Sequence, residues 1–294
     1  MYQSPTPIIT SALVEELHVK SAIPKPTAMN TPLRYSSAFG CSRQQGYAAF
    51  GAIPTEPMDE AGAWATGLGT IVHEALQDSL SRKFPSAQFE VASSLGSFIS
   101  GSCDALIAVS DFDGRIDVTG THVLYELKTM GTYSFDKQVG WNRMRGTVGE
   151  GEGPALKAIA QAGMNAFGIM DKDSTITIDY LVMGSITFEA LSKNKAANAG
   201  IEGTNRFLAE FYIPREEWVP IAMDELRRMD AIADAVSQGY LPDRYAVGDK
   251  CEVINLTPGG RAWQCDYCAF QSACVQDGAG QVRIIDSITT RKEQ

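Results

Sequence analysis

Asp104, Glu126 and Lys128 are the residues whose types and spacing point most directly to chemistry. Asp104 follows the small residues Gly101-Ser102-Cys103. Glu126 and Lys128 flank Leu127 in Val123-Leu124-Tyr125-Glu126-Leu127-Lys128. Side chains alternate across a strand, so Glu126 and Lys128 share one face and Tyr125 and Leu127 the other. Glu126 lies 22 positions after Asp104 (126 − 104), a gap that suits a hairpin bringing Asp104 level with both. Two carboxylates and an ammonium on an apolar-backed sheet make an oxygen-rich site for a hard divalent cation. Burying those charges without a use would be costly.

The elements needed to position this trio can be read on either side of it. Phe98 to Val109 reads as a strand, Asp111-Phe112-Asp113-Gly114 as a tight turn, and the segment ending at Lys128 as the returning strand. Upstream, Leu68, Ile71, Val72, Ala75, Leu76 and Leu80 recur at helical spacing and predict an amphipathic helix over about 58–84. His73 falls at the edge of that stripe, with the small residues Thr66 and Gly69 on its side. Downstream, 131–153 holds Trp141, Arg143 and Arg145 among several glycines. It reads either as a mobile loop able to stack a base and touch phosphates, or as a disordered connection. Pro154 opens a helix to about Met170 that carries Gln161. Strands follow over 175–184 and 206–213. A helix over 216–239 should bury Trp218, Ile221, Leu226, Met229, Ile232 and Val236, leaving Arg227 and Arg228 on a solvated face.

The chain has 294 residues, enough for one large core or two modest ones, and 44% of them are hydrophobic. No apolar run is long enough to span a membrane. No basic segment followed by an apolar one stands at the N-terminus, so no signal peptide is expected and a cytoplasmic, reducing location follows. There the six cysteines read as thiols or metal ligands before disulfides. A net charge of −10 argues against a broad basic surface for duplex DNA. It leaves room for a strand end in a narrow, locally basic groove. Residues 1–34, rich in proline around a short helical stretch (11–19), read as a loosely held arm.

The last motif is Cys265-Asp-Tyr-Cys268-Ala-Phe-Gln-Ser-Ala-Cys274. C-x2-C-x5-C brings three thiolates towards one centre, and a fourth must come from elsewhere; a zinc ribbon would show a second C-x2-C pair. Cys41, in the second turn of a short helix capped by Ser36 or Ser37, and Cys251 are the candidates. Cys103, facing away from Asp104, reads as core.

Asp, a variable gap and Glu-x-Lys resemble the core of the PD-(D/E)XK nuclease superfamily. Gly69-Thr70-Ile71-Val72-His73 resembles the Gly-x-x-x-His helix of its RecB-type branch, which implies His73 as an additional metal ligand. Gln161 resembles the glutamine one helix after Glu-x-Lys; Asn165 stands where that branch usually has tyrosine. One early cysteine and a late triplet resemble the iron–sulfur nucleases of the branch: the CRISPR-adaptation exonucleases, the nuclease subunit of helicase–nuclease complexes, and related phage enzymes. That likeness favours Cys41 over Cys251, so that Cys41, Cys265, Cys268 and Cys274 would hold a 4Fe–4S cluster.

The resemblance spans about Ser36 to Cys274. It implies an α/β, restriction-endonuclease-like mixed sheet flanked by helices, with a C-terminal iron–sulfur lobe. The organisation expected is an arm over 1–34, a nuclease domain over 35–250, and a cysteine-rich segment over 251–294 packed on the helix at 36–50. The expected activity is hydrolysis of DNA by a Mg- or Mn-dependent exonuclease at single-stranded ends. Asp104, Glu126, the Leu127 carbonyl and His73 would ligate the metal, with Lys128 and Gln161 assisting catalysis. A second copy of the chain, or a recombination or CRISPR protein, is the partner expected besides DNA. Two other classes stay open: a non-catalytic DNA-end-binding or assembly subunit, and a zinc-held regulatory domain.

Overall fold

The computed structural model describes residues 32–56, 60–112, 114, 117–246, 252–253, 265, 268–277 and 282–283. Residues 1–31 of the expected arm, with the helical stretch read over 11–19, and Cys251 lie outside them. The chain divides into two compact units, Met1–Leu33 with Gly40–Ile71 and Asp230–Gln294, and Arg34–Phe39 with Val72–Met229. The divisions fall at 33/34, 39/40, 71/72 and 229/230, the last two inside long helices.

The larger unit is an α/β structure around a mixed sheet. Strands β1 (Leu33–Arg34), β2 (Gln88–Leu95), β3 (Ile99–Ala108), β4 (His122–Met130), β7 (Ile178–Thr187) and β8 (Leu208–Pro214) form it, in the order β1-β3-β4-β7-β8 with β2 also on β3. Pairing is antiparallel for β2 with β3, β3 with β4 and β7 with β8, and parallel for β4 with β7. A parallel pair requires a crossover. It is made here by helix α3 (Thr132–Val139), a hairpin of β5 (Trp141–Asn142) and β6 (Thr147–Val148), and helix α4 (Leu156–Lys172). The expected β3–β4 hairpin is present, with Ala105 opposite Tyr125 and Ile107 opposite Val123.

The segment 131–153 is therefore built, not a loose loop. Helix α3 stops because Gly140 adopts φ 74°, returning its N–H to the Asp136 carbonyl. Arg143 Nε binds Asp136 at 2.6 Å and an Nη donates to the Glu189 carbonyl at 3.0 Å. Trp141 packs edge-on against Phe135 at 5.3 Å. The aromatic and one arginine proposed for nucleic-acid contact are thus engaged within the protein.

Helix α4 packs against β2, β3, β4 and β7. It buries Ala158, Ile159, Ala160, Ala162, Gly163, Met164, Asn165, Ala166, Gly168 and Ile169, a largely small-residue surface that lets it approach the sheet closely. Its other side meets helix α6 (Arg215–Ser237): a Cβ on Gly163 would lie 2.6 Å from Ala222 Cβ and 3.1 Å from Trp218 Cε3. Between β7 and β8, Ser192 caps helix α5 (Lys193–Asn198), accepting from the Lys195 N–H. On the sheet, Phe84, Ala105, Ile107, Val123 and Val182 form an apolar cluster.

Two sequence expectations change here. Helix α2 (Glu60–Lys83) forms as expected, but its apolar stripe is at most half-buried, with Ile71 57% exposed. Arg228 is not a solvated charge: it pairs with buried Glu225 at 2.6 Å, and Glu225 also accepts the Phe39 N–H at 2.9 Å. Arg227 is exposed as expected, paired with Asp224.

In the smaller unit, helix α1 (Ser42–Ala49) starts directly after Cys41, which occupies the N-cap position. A separate 3-10 turn covers Tyr35–Ser37. Cys41 therefore precedes the helix and does not ride in its second turn. The described C-terminal residues include helix α7 (Gln271–Gln276). Phe270 stacks on Tyr47 at 5.1 Å, the Tyr47 hydroxyl donates to Asp277, and the Thr55 and Glu56 N–H groups donate to the Ala269 carbonyl at 2.8 and 3.1 Å. Cysteine-bearing residues thus pack on α1 and the chain that follows it.

Candidate active site and cysteine cluster

Asp104 comes from β3, one residue before the first β3–β4 pair, Ala105 with Tyr125, and sends its carboxylate across to β4. Its Oδ2 accepts the Leu127 N–H at 2.7 Å, and its Oδ1 lies 3.2 Å from His73 Nδ1 on α2. Glu126, on β4, is 1% exposed. Its Oε2 accepts from Lys128 Nζ at 3.1 Å and from Gln161 Nε2 at 3.4 Å. Lys128 Nζ also donates to Gln161 Oε1 at 3.2 Å, so the glutamine amide clasps acid and ammonium together. Residues predicted from four separate stretches of sequence thus meet at β4 within the larger unit, in two hydrogen-bonded groups: His73 with Asp104, and Glu126 with Lys128 and Gln161. Leu127 is buried between the two charged residues of its strand.

The electrostatics follow from burial. Desolvation pushes the Glu126 carboxyl up to about 7; Lys128 opposes the shift and the Asp104 charge adds to it. The hydrogen bond to Asp104 raises His73 above the ordinary histidine value, against the opposing effects of burial and Lys128. Lys128 and His73 both oppose the Glu126 shift, yet burial outweighs them and leaves the carboxyl raised. Two acids, an imidazole and a backbone carbonyl are donors suited to a hard divalent cation. Among the described residues, however, no three His, Cys, Asp or Glu side chains converge as a metal centre. Each acid is instead hydrogen-bonded to neighbouring protein groups.

The sequence reading marked Asn165 only as a departure from a tyrosine. Its side chain is fully buried, with Nδ2 donating to the Ser102 carbonyl at 3.0 Å and to Glu126 Oε1 at 3.3 Å. The available signal was its spacing of four from Gln161, which puts both on one face of α4.

In the smaller unit, Cys41, Cys265, Cys268 and Cys274 are free thiols, as is buried Cys103 in the larger one. Burial pushes Cys268 up to about 11, and the charges of Cys41, Cys274 and Cys265 all add to that shift, so Cys268 lies within electrostatic reach of the other three. Burial likewise raises Cys274, while Arg244 and Arg43 oppose the shift. Arg244 Nε donates to Cys274 Sγ at 3.2 Å, and buried Arg43 donates to the Pro242 carbonyl at 2.9 Å. Two buried guanidiniums thus favour the anionic form of Cys274, as a group that binds thiolates would require.

No family model and no curated protein matches the chain. A solved structure titled "Crystal structure of SSO0001" is similar at 17% identity and a TM-score of 0.46, covering 90% of this chain and 95% of that one. No helix among the described residues is long and apolar enough to cross a membrane.

Proposed function

We propose that the chain is a metal-dependent DNA exonuclease of the PD-(D/E)XK superfamily, RecB-type branch, with a restriction-endonuclease-like fold, acting on single-stranded ends in the cytoplasm. The observation that carries this reading is the meeting of His73, Asp104, Glu126, Lys128 and Gln161 in one cluster. Asp104, Glu126, the Leu127 carbonyl and His73 are the groups assigned to hold Mg²⁺ or Mn²⁺. When bound, that cation would polarise the scissile phosphate and lower the pKa of a water molecule. Lys128, held between Glu126 and Gln161, orients the attacking water and offsets negative charge growing on the phosphorane-like transition state. Water's oxygen bonds to phosphorus, the bond to the 3′ oxygen breaks, and that oxygen takes up a proton. The products are a 5′-phosphate and a 3′-hydroxyl.

Cys41, Cys265, Cys268 and Cys274 are assigned to a 4Fe–4S cluster, supported by the electrostatic link between Cys41 and the late triplet. Such a cluster would cross-link the chain around α1 to its C-terminal segment. DNA is the partner this reading requires; a second copy, or a recombination or CRISPR protein, extends it.

The competing reading, a DNA-end-binding subunit without turnover, draws on the hydrogen bonds that already occupy both acids. Digestion of 5′- and 3′-labelled single and double strands with Mg²⁺ or Mn²⁺ separates the two. Cation-dependent shortening from an end supports the nuclease. Retention of labelled strands without shortening supports the binding subunit.

A further inference from the structure

The Glu126 carboxylate offers about four acceptor positions. On Oε2, Lys128 Nζ and Gln161 Nε2 occupy both. On Oε1 one donor is seen, Asn165 Nδ2 at 3.3 Å. The orientation of the Asn165 amide is fixed independently of Glu126. Its other Nδ2 hydrogen faces the Ser102 carbonyl at 3.0 Å, which can only accept. Its Oδ1 accepts from Ser93 Oγ at 3.2 Å, and the same hydroxyl lies 3.3 Å from the Asn165 carbonyl. A fully buried amide is thus locked from β2, β3 and α4 and aimed at one oxygen of the acid.

We propose that Asn165 is a positioning residue that sets the rotation of the Glu126 carboxylate, so that Oε1 presents its remaining acceptor position to the catalytic cation. This inference rests on the metal site proposed above. Gln161 and Lys128 hold Oε2, and Asn165 holds Oε1. A tyrosine at 165 could not donate to both Ser102 and Glu126, because a phenol has one hydrogen where the amide has two. The departure from the usual residue thus brings a different way of holding the acid.

The test is Mn²⁺ binding, followed by the loss of the free-ion EPR signal on titrating the full chain, with thermal melting in parallel. Asn165→Leu keeps the shape of the side chain and removes both donors. Loss of a group that orients a ligand weakens metal binding about tenfold or more. Ser93→Ala leaves Asn165 in place and removes one hydrogen bond, so it should weaken Mn²⁺ binding about threefold and covers the case in which Asn165→Leu fails to fold. A merely structural Asn165 would lower the melting temperature and leave Mn²⁺ affinity at the wild-type value. Unchanged affinity in the folded variants, with wild type binding normally, overturns the role of Asn165 alone. Wild-type protein that binds no Mn²⁺ overturns the metal site, and this inference with it.

Discussion

Replacing Lys128 with Met removes the ammonium while keeping most of the side-chain volume, and leaves Glu126 without its nearest cation. Glu126 is 1% exposed and Lys128 Nζ is 3.1 Å from Oε2, so the variant would hold a buried carboxylate that keeps its amide donors Gln161 and Asn165 but loses its ammonium. Stranding a buried charge costs about 3–5 kcal/mol. The Lys128 side chain is 31% exposed, so solvent screens part of the interaction. The expected loss is then about 1–3 kcal/mol at pH 8. The pH dependence carries the diagnosis. Burial raises the folded-state value of Glu126 to about 7 from 4.5. Its raised value favours the folded state fully below the unfolded value, and this benefit is lost as pH rises through the folded one. Without Lys128 that folded value rises further, so the penalty is small at pH 4.5 and grows as pH rises through about 7 towards 8. Urea denaturation of wild type and Lys128→Met in EDTA, at both pH values, reads the difference. An equal destabilisation at the two pH values would refute the argument, because an uncompensated Glu126 cannot cost the same when protonated.

Further outcomes follow from other parts of the molecule. Gly163→Ala should destabilise the protein by about 1–3 kcal/mol through overpacking against Ala222 and Trp218; an unchanged urea midpoint would contradict the close approach of α4 and α6. Arg228→Met strands buried Glu225 and should cost about 2–4 kcal/mol near neutral pH, read by the same denaturation. Anaerobically purified Cys41→Ser should lose the brown iron–sulfur absorption that Cys251→Ser retains, and the opposite pattern would reassign the fourth ligand. A colourless wild-type protein that contains zinc would replace the cluster assignment altogether.

The site was legible in the sequence to the extent that residue type and local spacing carry it. Strand alternation placed Glu126 and Lys128 on one face, and the β3–β4 hairpin followed from two apolar runs about a turn. His73 and Gln161 were found through helical spacing and the resemblance, and both reach the site. What spacing could not tell was which partner each acid turns to. Asp104 caps the Leu127 N–H, and Asn165 reaches Glu126; both are contacts between residues distant in sequence. Strand β2 was missed although Phe89, Val91 and Leu95 alternate with more exposed residues, because Ser93, the buried position on that face, interrupts the apolar run. The glycines of 131–153 concealed α3 and the β5–β6 hairpin, since the ties that order them, Arg143 to Asp136 and to Glu189, are tertiary. Arg228 looked solvated for the same reason: a charged residue on a helix reveals its burial only when its neighbours are known.

The most direct test of the central claim is Mg²⁺- or Mn²⁺-dependent release of nucleotides from end-labelled single-stranded DNA by wild type and Asp104→Ala. The account predicts steady shortening by wild type and none by Asp104→Ala, whose melting temperature stays close to wild type in EDTA. Undiminished shortening by Asp104→Ala would place the chemistry elsewhere in the molecule.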